Sequence, residues 1–244
     1  MLQIQPLFRQ KESYEALAAR EGLGFEVLEL CFSQKKEVRD WYERCGAVTS
    51  LHGAFIDVNP GSGDKDFRLL SQKKCEESCA LALALGAKQV VFHSSCFPNL
   101  RGGYLEGWLA YCSMFYQELA ERYPLTVCIE NSFDLDPEPI RLLINETAHP
   151  RVKACLDLGH ALCSRTPLED WIDGLAGRIG YLHLSDNRGS FDDHLPLGDG
   201  KLPWEPVRAL LQQLPPDTPM TLEVGNLAGI EASLAFLKKE RLLP

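Results

Sequence analysis

The chain has 244 residues, 45% hydrophobic and 24% charged, which is ordinary for a globular protein and enough for one large core or two small ones. A net charge of −9 and the lack of a long Lys/Arg run disfavour an extended nucleic-acid footprint without excluding a local basic groove. No apolar run approaches the roughly 20 residues that span a bilayer, Met1–Gln10 lacks a signal-peptide pattern, and nine scattered cysteines suit reduced thiols in a cytoplasm.

Short apolar runs and helical patterns alternate from end to end. Leu2–Phe8 reads as a strand before a helical pattern at 11–21, and Phe25–Leu30 as a strand before a helix at 34–45. Val48–His52 precedes 64–86, Gln89–His93 precedes 104–122, and Thr126–Asn131 precedes 137–147. Val152–Asp157 precedes 167–176, Ile179–Ser185 precedes 204–213, and Met220–Val224 precedes 229–240. The strands are short, rich in Val, Ile and Leu and bounded by turn residues, as buried parallel strands are. Asp136-Pro137-Glu138 supplies a helix start, and Thr166-Pro167-Leu168-Glu169 reads as a capping box. Eight such units, with no linker between them, predict an α/β chain of one domain over 1–244, a (β/α)8 TIM barrel. A doubly wound open sheet is the rival, but it rarely needs eight equal units.

Parallel strands in a barrel open their C-terminal ends on one face, where active sites gather. Nine residues able to hold metal fall there or just beyond: His52, His93, Glu130, Asp157, His160, His183, Asp192, His194 and Glu223, which include five of the six histidines. Imidazole and carboxylate together suit zinc, manganese, iron or nickel, whereas calcium prefers oxygen alone. Each has a bland alternative. His52 in Leu51–Ser62 and His93 in Val90–Cys96 could be structural histidines, Glu130 and Glu223 could pair with a neighbouring strand end, and Asp157 could cap the next turn. Two acids facing across a barrel mouth also suit proton transfer between adjacent carbons. The connection 186–203 is long for a strand–helix turn and carries Asp192 and His194; Gly198 and Gly200 either permit a tight backbone or mark an exposed turn. Arg188 and Lys201 are candidates for an anionic substrate group, or plain surface charges. Cys75 and Cys79 read as core, Cys163 has no base partner that would mark a nucleophile, and His149 reads as solvated.

Three stretches carry a resemblance: His-Gly-Ala-Phe-Ile-Asp-Val-Asn at 52–59, Cys-Leu-Asp-Leu-Gly-His at 155–160 and Asp-Asp-His-Leu-Pro-Leu-Gly-Asp-Gly at 192–200. Together they resemble the xylose isomerase-like TIM-barrel superfamily, in its branch of sugar phosphate isomerases and epimerases that also holds the class-IV apurinic endonucleases. The resemblance implies a divalent metal (zinc, manganese or magnesium) held by Glu130, Asp157, His183 and Glu223, with the two glutamates as acid/base pair and His160 and Arg188 on substrate. It implies no organic cofactor. For the endonucleases it implies a three-zinc cluster that adds His52, His93, His160, Asp192 and His194. Phe55 and Ile56 fall where those enzymes probe the DNA helix, yet similar residues are common there across the branch. The interval from His183 to Asp192 looks shorter than in the endonucleases.

The expectation is therefore a metal-dependent isomerase or epimerase of a small sugar, sugar phosphate or polyol, in the cytoplasm, without a membrane partner and open to homo-oligomer formation. In that reading the metal polarises a carbonyl, and Glu130 or Glu223 removes the acidified proton while the other returns one. The alternative is a zinc-dependent phosphoesterase of the apurinic endonuclease type, with metal count as the discriminator. A third reading, a barrel that keeps metal only for stability or partner binding, is weakened by four acids and five histidines at the mouth.

Overall fold

The computed structural model describes residues 1–29, 35–164 and 166–242. Eight parallel strands close into a barrel in sequence order: β1 (Leu2–Ile4), β2 (Gly24–Leu28), β3 (Val48–His52), β4 (Gln89–His93), β5 (Thr126–Glu130), β6 (Val152–Asp157), β7 (Ile179–Leu184) and β8 (Met220–Leu222). The helices around them are α1 (Lys11–Glu21), α2 (Lys36–Cys45), α3 (Lys65–Ala84), α4 (Gly103–Arg122), α5 (Glu138–Thr147), α6 (Leu158–Cys163), α7 (Leu168–Gly174), α8 (Trp204–Gln213) and α9 (Leu227–Lys239). The predicted strands and helices are met to within a few residues at their ends. Leu30 and Gln34, at the edges of one predicted strand and one predicted helix, lie outside the described residues. Among the described residues, no helix is long and apolar enough to cross a membrane.

Two local signals resolve differently. Asp136 does start α5, its Oδ1 accepting from the Glu138 amide at 3.0 Å. The capping box at 166–169 does not form: no side chain caps α7, and the Thr166 hydroxyl donates to the Leu135 carbonyl instead. The short α6 is an addition, begun by Asp157, whose Oδ1 accepts from the His160 amide at 2.6 Å.

Strand side chains alternate between the helices and the barrel axis. The outward set (Phe25, Val27, Leu51, Val90, Phe92, Val127, Ile129, Ala154, Leu156 and Leu182 among it) packs on the helices as one large core, which takes in Cys75 and Cys79 as expected. The inward set stacks in layers. Beneath the mouth, Val91, Cys128, Cys155 and Tyr181 make a small apolar cluster of their own. Gln3, Glu26, Ser50 and Thr221 fill the other side of that layer and are buried too. The Tyr181 hydroxyl joins the two halves, lying 2.7 Å from Ser50 Oγ and 2.8 Å from both Glu26 Oε2 and Thr221 Oγ1. Above this floor the next inward residues are His52, His93, Glu130, Asp157 and His183, with Glu223 just past the end of β8.

Candidate metal centre

The nine donors foreseen in sequence converge at the mouth in three groups, in each of which the donor atoms lie within 4.8 Å of one another. The first is His52, His93 and Glu130; the second is Glu130, Asp157, His183 and Glu223; the third is His160, Asp192 and His194. Glu130 belongs to two groups because its oxygens diverge: Oε2 is 3.1 Å from His52 Nε2 and 3.5 Å from His93 Nε2, while Oε1 is 2.9 Å from His183 Nδ1. In the third group Asp192 Oδ2 lies 3.2 Å from His160 Nε2 and 2.8 Å from His194 Nε2.

The imidazoles are oriented by what their other nitrogen meets. His160 Nδ1 lies 2.8 Å from the Asn131 carbonyl, His194 Nδ1 2.8 Å from the Glu223 carbonyl, and His52 Nδ1 3.1 Å from the Gly53 carbonyl. A carbonyl only accepts, so each of these Nδ1 atoms carries a proton. Each Nε2 faces a carboxylate of Glu130 or Asp192, which favours a second proton there and, against burial, raises all three imidazoles, so a metal ion would take the place of the Nε2 proton. His183 is turned the other way. Its Nε2 is 3.2 Å from Glu26 Oε2, and Nδ1 enters the second group, 3.4 Å from Glu223 Oε1 and 3.9 Å from Asp157 Oδ2. A carboxylate behind a metal-facing histidine fixes its tautomer and raises its basicity.

The connection 186–203 brings Asp192 and His194 to the mouth and is a clamped loop. Asp186 and Leu195 form an antiparallel bridge, and the buried Asp186 carboxylate accepts from the amides of Asn187, Gly198 and Leu202 at 2.8, 2.9 and 3.0 Å. The two glycines mark a tight backbone: Gly198 has φ +92°, and a Cβ on Gly200 would fall 2.2 Å from Asp186 Oδ1. His194 itself has φ +47°, a left-handed conformation that non-glycine residues enter at some cost and keep where the surroundings demand it.

The electrostatics call for a cation. Glu26, Glu130, Asp157 and Glu223 are all buried, and among the described residues no lysine or arginine pairs with any of them. Burial, followed by the nearby charges of Glu130, Asp157 and Glu26, pushes the Glu223 carboxyl up to about 7 even though His183 opposes the shift. Burial also raises Asp157. Burial opposes charge on Glu130 as well, but His183 and His93 hold it well below the usual range. Asp157 Oδ2 is buried with no hydrogen-bond partner. An orphaned carboxylate oxygen among crowded acids and imidazoles fits a divalent ion, which would take the place of the imidazole protons that offset those acids here, and the mixed N/O donors favour zinc or manganese over calcium. Asp157 thus serves both readings given to it, with one oxygen capping α6 and the other turned to the second group.

Several participants escaped sequence reasoning. Glu26 is one; the signal was a carboxylate between Phe25 and Val27 inside a buried strand. Gln5 donates from Nε2 to Glu26 Oε1 at 2.8 Å and also to Glu223. Asn131 ties β5 to β6 by exchanging side-chain bonds of 2.9 and 2.8 Å with the Asp157 backbone. Phe55 packs edge-on against His52, ring centroids 4.8 Å apart. Arg188 lies at the surface with its guanidinium 3.2 Å from Asp193 Oδ1, outside the three groups. His149 is half-buried and accepts from the Arg151 amide at 3.2 Å.

Residues 16–240 match the family of xylose isomerase-like TIM barrels, and the chain belongs to that family. It is 26% identical over 215 residues to an uncharacterised protein of Methanocaldococcus jannaschii, covering 83% of this chain and 72% of that one. It is 23% identical over 243 residues to a probable endonuclease 4 of Mycobacterium tuberculosis, covering 92% and 94%. Among solved structures, the TTHB071 protein from Thermus thermophilus, soaked with ZnCl2, superposes with a TM-score of 0.80 at 27% identity, covering 98% and 96%. The D-psicose 3-epimerase of Clostridium cellulolyticum superposes at 0.73 with 14% identity over 98% and 95%, a likeness of fold.

Proposed function

We propose that the chain is a metal-dependent phosphoester hydrolase whose centre takes three divalent ions, zinc first among them. The observation that carries this reading is the grouping of all nine donors into three sets joined through Glu130. A one-metal isomerase needs Glu130, Asp157, His183 and Glu223 and leaves the other five without a ligand role. When bound, such ions polarise phosphoryl oxygens and lower the pKa of water. In this scheme His52, His93, His160 and His194 would face the ions as neutral imidazoles, the ions taking the place of their Nε2 protons, while Glu130 would keep the first two groups in register. Glu223 would accept the proton that water gives up as its oxygen forms the new P–O bond, and would pass it to the alkoxide that departs as the ester P–O bond breaks. The similarity to an endonuclease 4 and to a structure soaked with ZnCl2 supports trying zinc and phosphodiesters before other pairs.

One feature favours the isomerase as a second reading: Glu130 and Glu223 flank the same His183 nitrogen while their environments push their pKa values apart, as an acid/base pair requires. Elemental analysis of protein purified without a polyhistidine tag separates the two. About three zinc ions per chain, with cleavage of bis(p-nitrophenyl) phosphate, is the expected result. A single ion, with epimerisation of ketoses or their phosphates and no phosphodiester cleavage, would transfer the assignment to the isomerase.

A further inference from the structure

A cavity of about 700 Å³ opens beside the metal centre, within the size range of small-molecule sites. Its floor includes His93, His160 and Asp192, one donor from the first group and two from the third. Phe55, Ile56, Phe133 and Phe191 make most of its wall, with Asp57, Ser132, Cys163 and Ser190 between them, and among the described residues no lysine or arginine lines it. Phe133 and Phe191 are 80% and 78% exposed, and Ile56 is 56% exposed. Phe133 follows the end of β5, and Phe191 precedes Asp192 on the clamped connection, where the Cys163 thiol lies 3.3 Å from its carbonyl. Scattered exposed apolar residues are ordinary, but three around one cavity whose base is a candidate metal centre form a wall.

The chemistry of the occupant follows from what this wall lacks. A sugar or polyol would ask for hydrogen-bonding side chains around all its hydroxyls, whereas the described wall sets Asp57, Ser132 and Ser190 in a surface that is mostly hydrocarbon. A duplex would ask for cationic side chains along its phosphates, and among the described residues none lines the cavity. Resting on the metal-centre reading above, we propose that the cavity binds the nucleobase of a small nucleotide or nucleotide ester, its ring against Phe133 and Phe191 and its phosphate toward the His93–His160 floor. The rings supply base stacking, a contact that tolerates different bases because every base has a π face. The anionic end would be held by metal at the donors of the cavity floor.

A matched pair of ligands tests this: thymidine 5′-monophosphate and 2-deoxyribose 5-phosphate, titrated by calorimetry into zinc-loaded protein. They share a sugar phosphate and differ by the base. Wild-type protein is expected to bind the nucleotide roughly tenfold more tightly, the factor expected of one base–aromatic stack. In the variant Phe133→Ala/Phe191→Ala that preference should fall to within about twofold, with the affinity for 2-deoxyribose 5-phosphate nearly unchanged. Both rings are exposed, so the double variant keeps the fold. Equal affinities in the wild type, an undiminished preference in the variant, or no binding of either ligand would overturn the proposal. A base preference that vanishes in the variant, found in a protein that cleaves no phosphodiester, would uphold the cavity assignment and remove the hydrolase reading instead.

Discussion

Replacing Glu26 by glutamine removes one charge beneath the mouth and leaves the barrel's volume intact. Glu26 Oε2 accepts from Tyr181 at 2.8 Å, His183 at 3.2 Å and Ser50 at 3.4 Å, and Oε1 accepts from Gln5 at 2.8 Å. A glutamine has one carbonyl oxygen. With that oxygen in the Oε2 position, His183 keeps a neutral acceptor, a loss of about 1 kcal/mol relative to a charge-assisted bond. The new amide NH2 then meets the Gln5 NH2, donor against donor. Turning Gln5 over relieves that clash but points its oxygen at Glu223, so one further bond is lost, again about 1 kcal/mol. About 2 kcal/mol corresponds to roughly 30-fold weaker binding at the group His183 serves, inside the about 10–100-fold range for partners behind a metal ligand. The assay is zinc competition against a chromophoric chelator, with thermal melting as a check on folding. The His160–Asp192–His194 group should be unaffected. A folded Glu26→Gln variant that binds every zinc ion with wild-type affinity would refute the assignment of Glu26 as the residue that positions His183.

Sharing of Glu130 predicts unequal stoichiometry: Glu130→Gln should lose about two zinc ions per chain and Asp192→Asn about one, by elemental analysis of dialysed protein, and equal losses would contradict the shared-ligand geometry. Asp134, buried behind Ser94 with Oδ1 unpartnered, is pushed by burial from its ordinary 3.8 to about 6. Its unfolded form therefore loses the proton first, and the wild type should lose up to about 3 kcal/mol of stability as pH rises from below 4 to above 6. Asp134→Asn has no such loss, so its stability relative to wild type should grow across that window in urea unfolding, offset at every pH by about 1–2 kcal/mol for its unpaired NH2. A difference that is flat with pH would rule out the raised carboxyl. Gly200→Ala places a methyl against Asp186 and the Asn187 backbone, so it should cost about 1–3 kcal/mol in the same unfolding assay and weaken zinc at the third group. An unperturbed loop and zinc count would show that the connection yields more easily than its packing implies.

The order and ends of the strands were legible in the sequence because strand patterning is local. Side chains alternate every second residue, apolar runs end at turns, and parallel closure sends every downstream end to one face. All nine candidate donors could be named from that rule together with the resemblance, as could the long connection carrying Asp192 and His194. Their partition did not. His52 and Glu130 stand 78 positions apart and become neighbours only when β3 and β5 flank β4 in the closed barrel. Only that closure decides that Glu130 serves two groups, that Asp192 joins His160 to His194, and that Arg188 stays outside on Asp193. Glu26 was readable as an acid in a buried strand, but its service to His183 depends on two strands 157 positions apart in chain. The sequence by itself determined a barrel with a metal-capable mouth, through periodicity and residue chemistry. The tertiary structure decided how the candidate donors divide into groups, because distances between remote strand ends are set by barrel closure and the clamped loop, not by any local pattern.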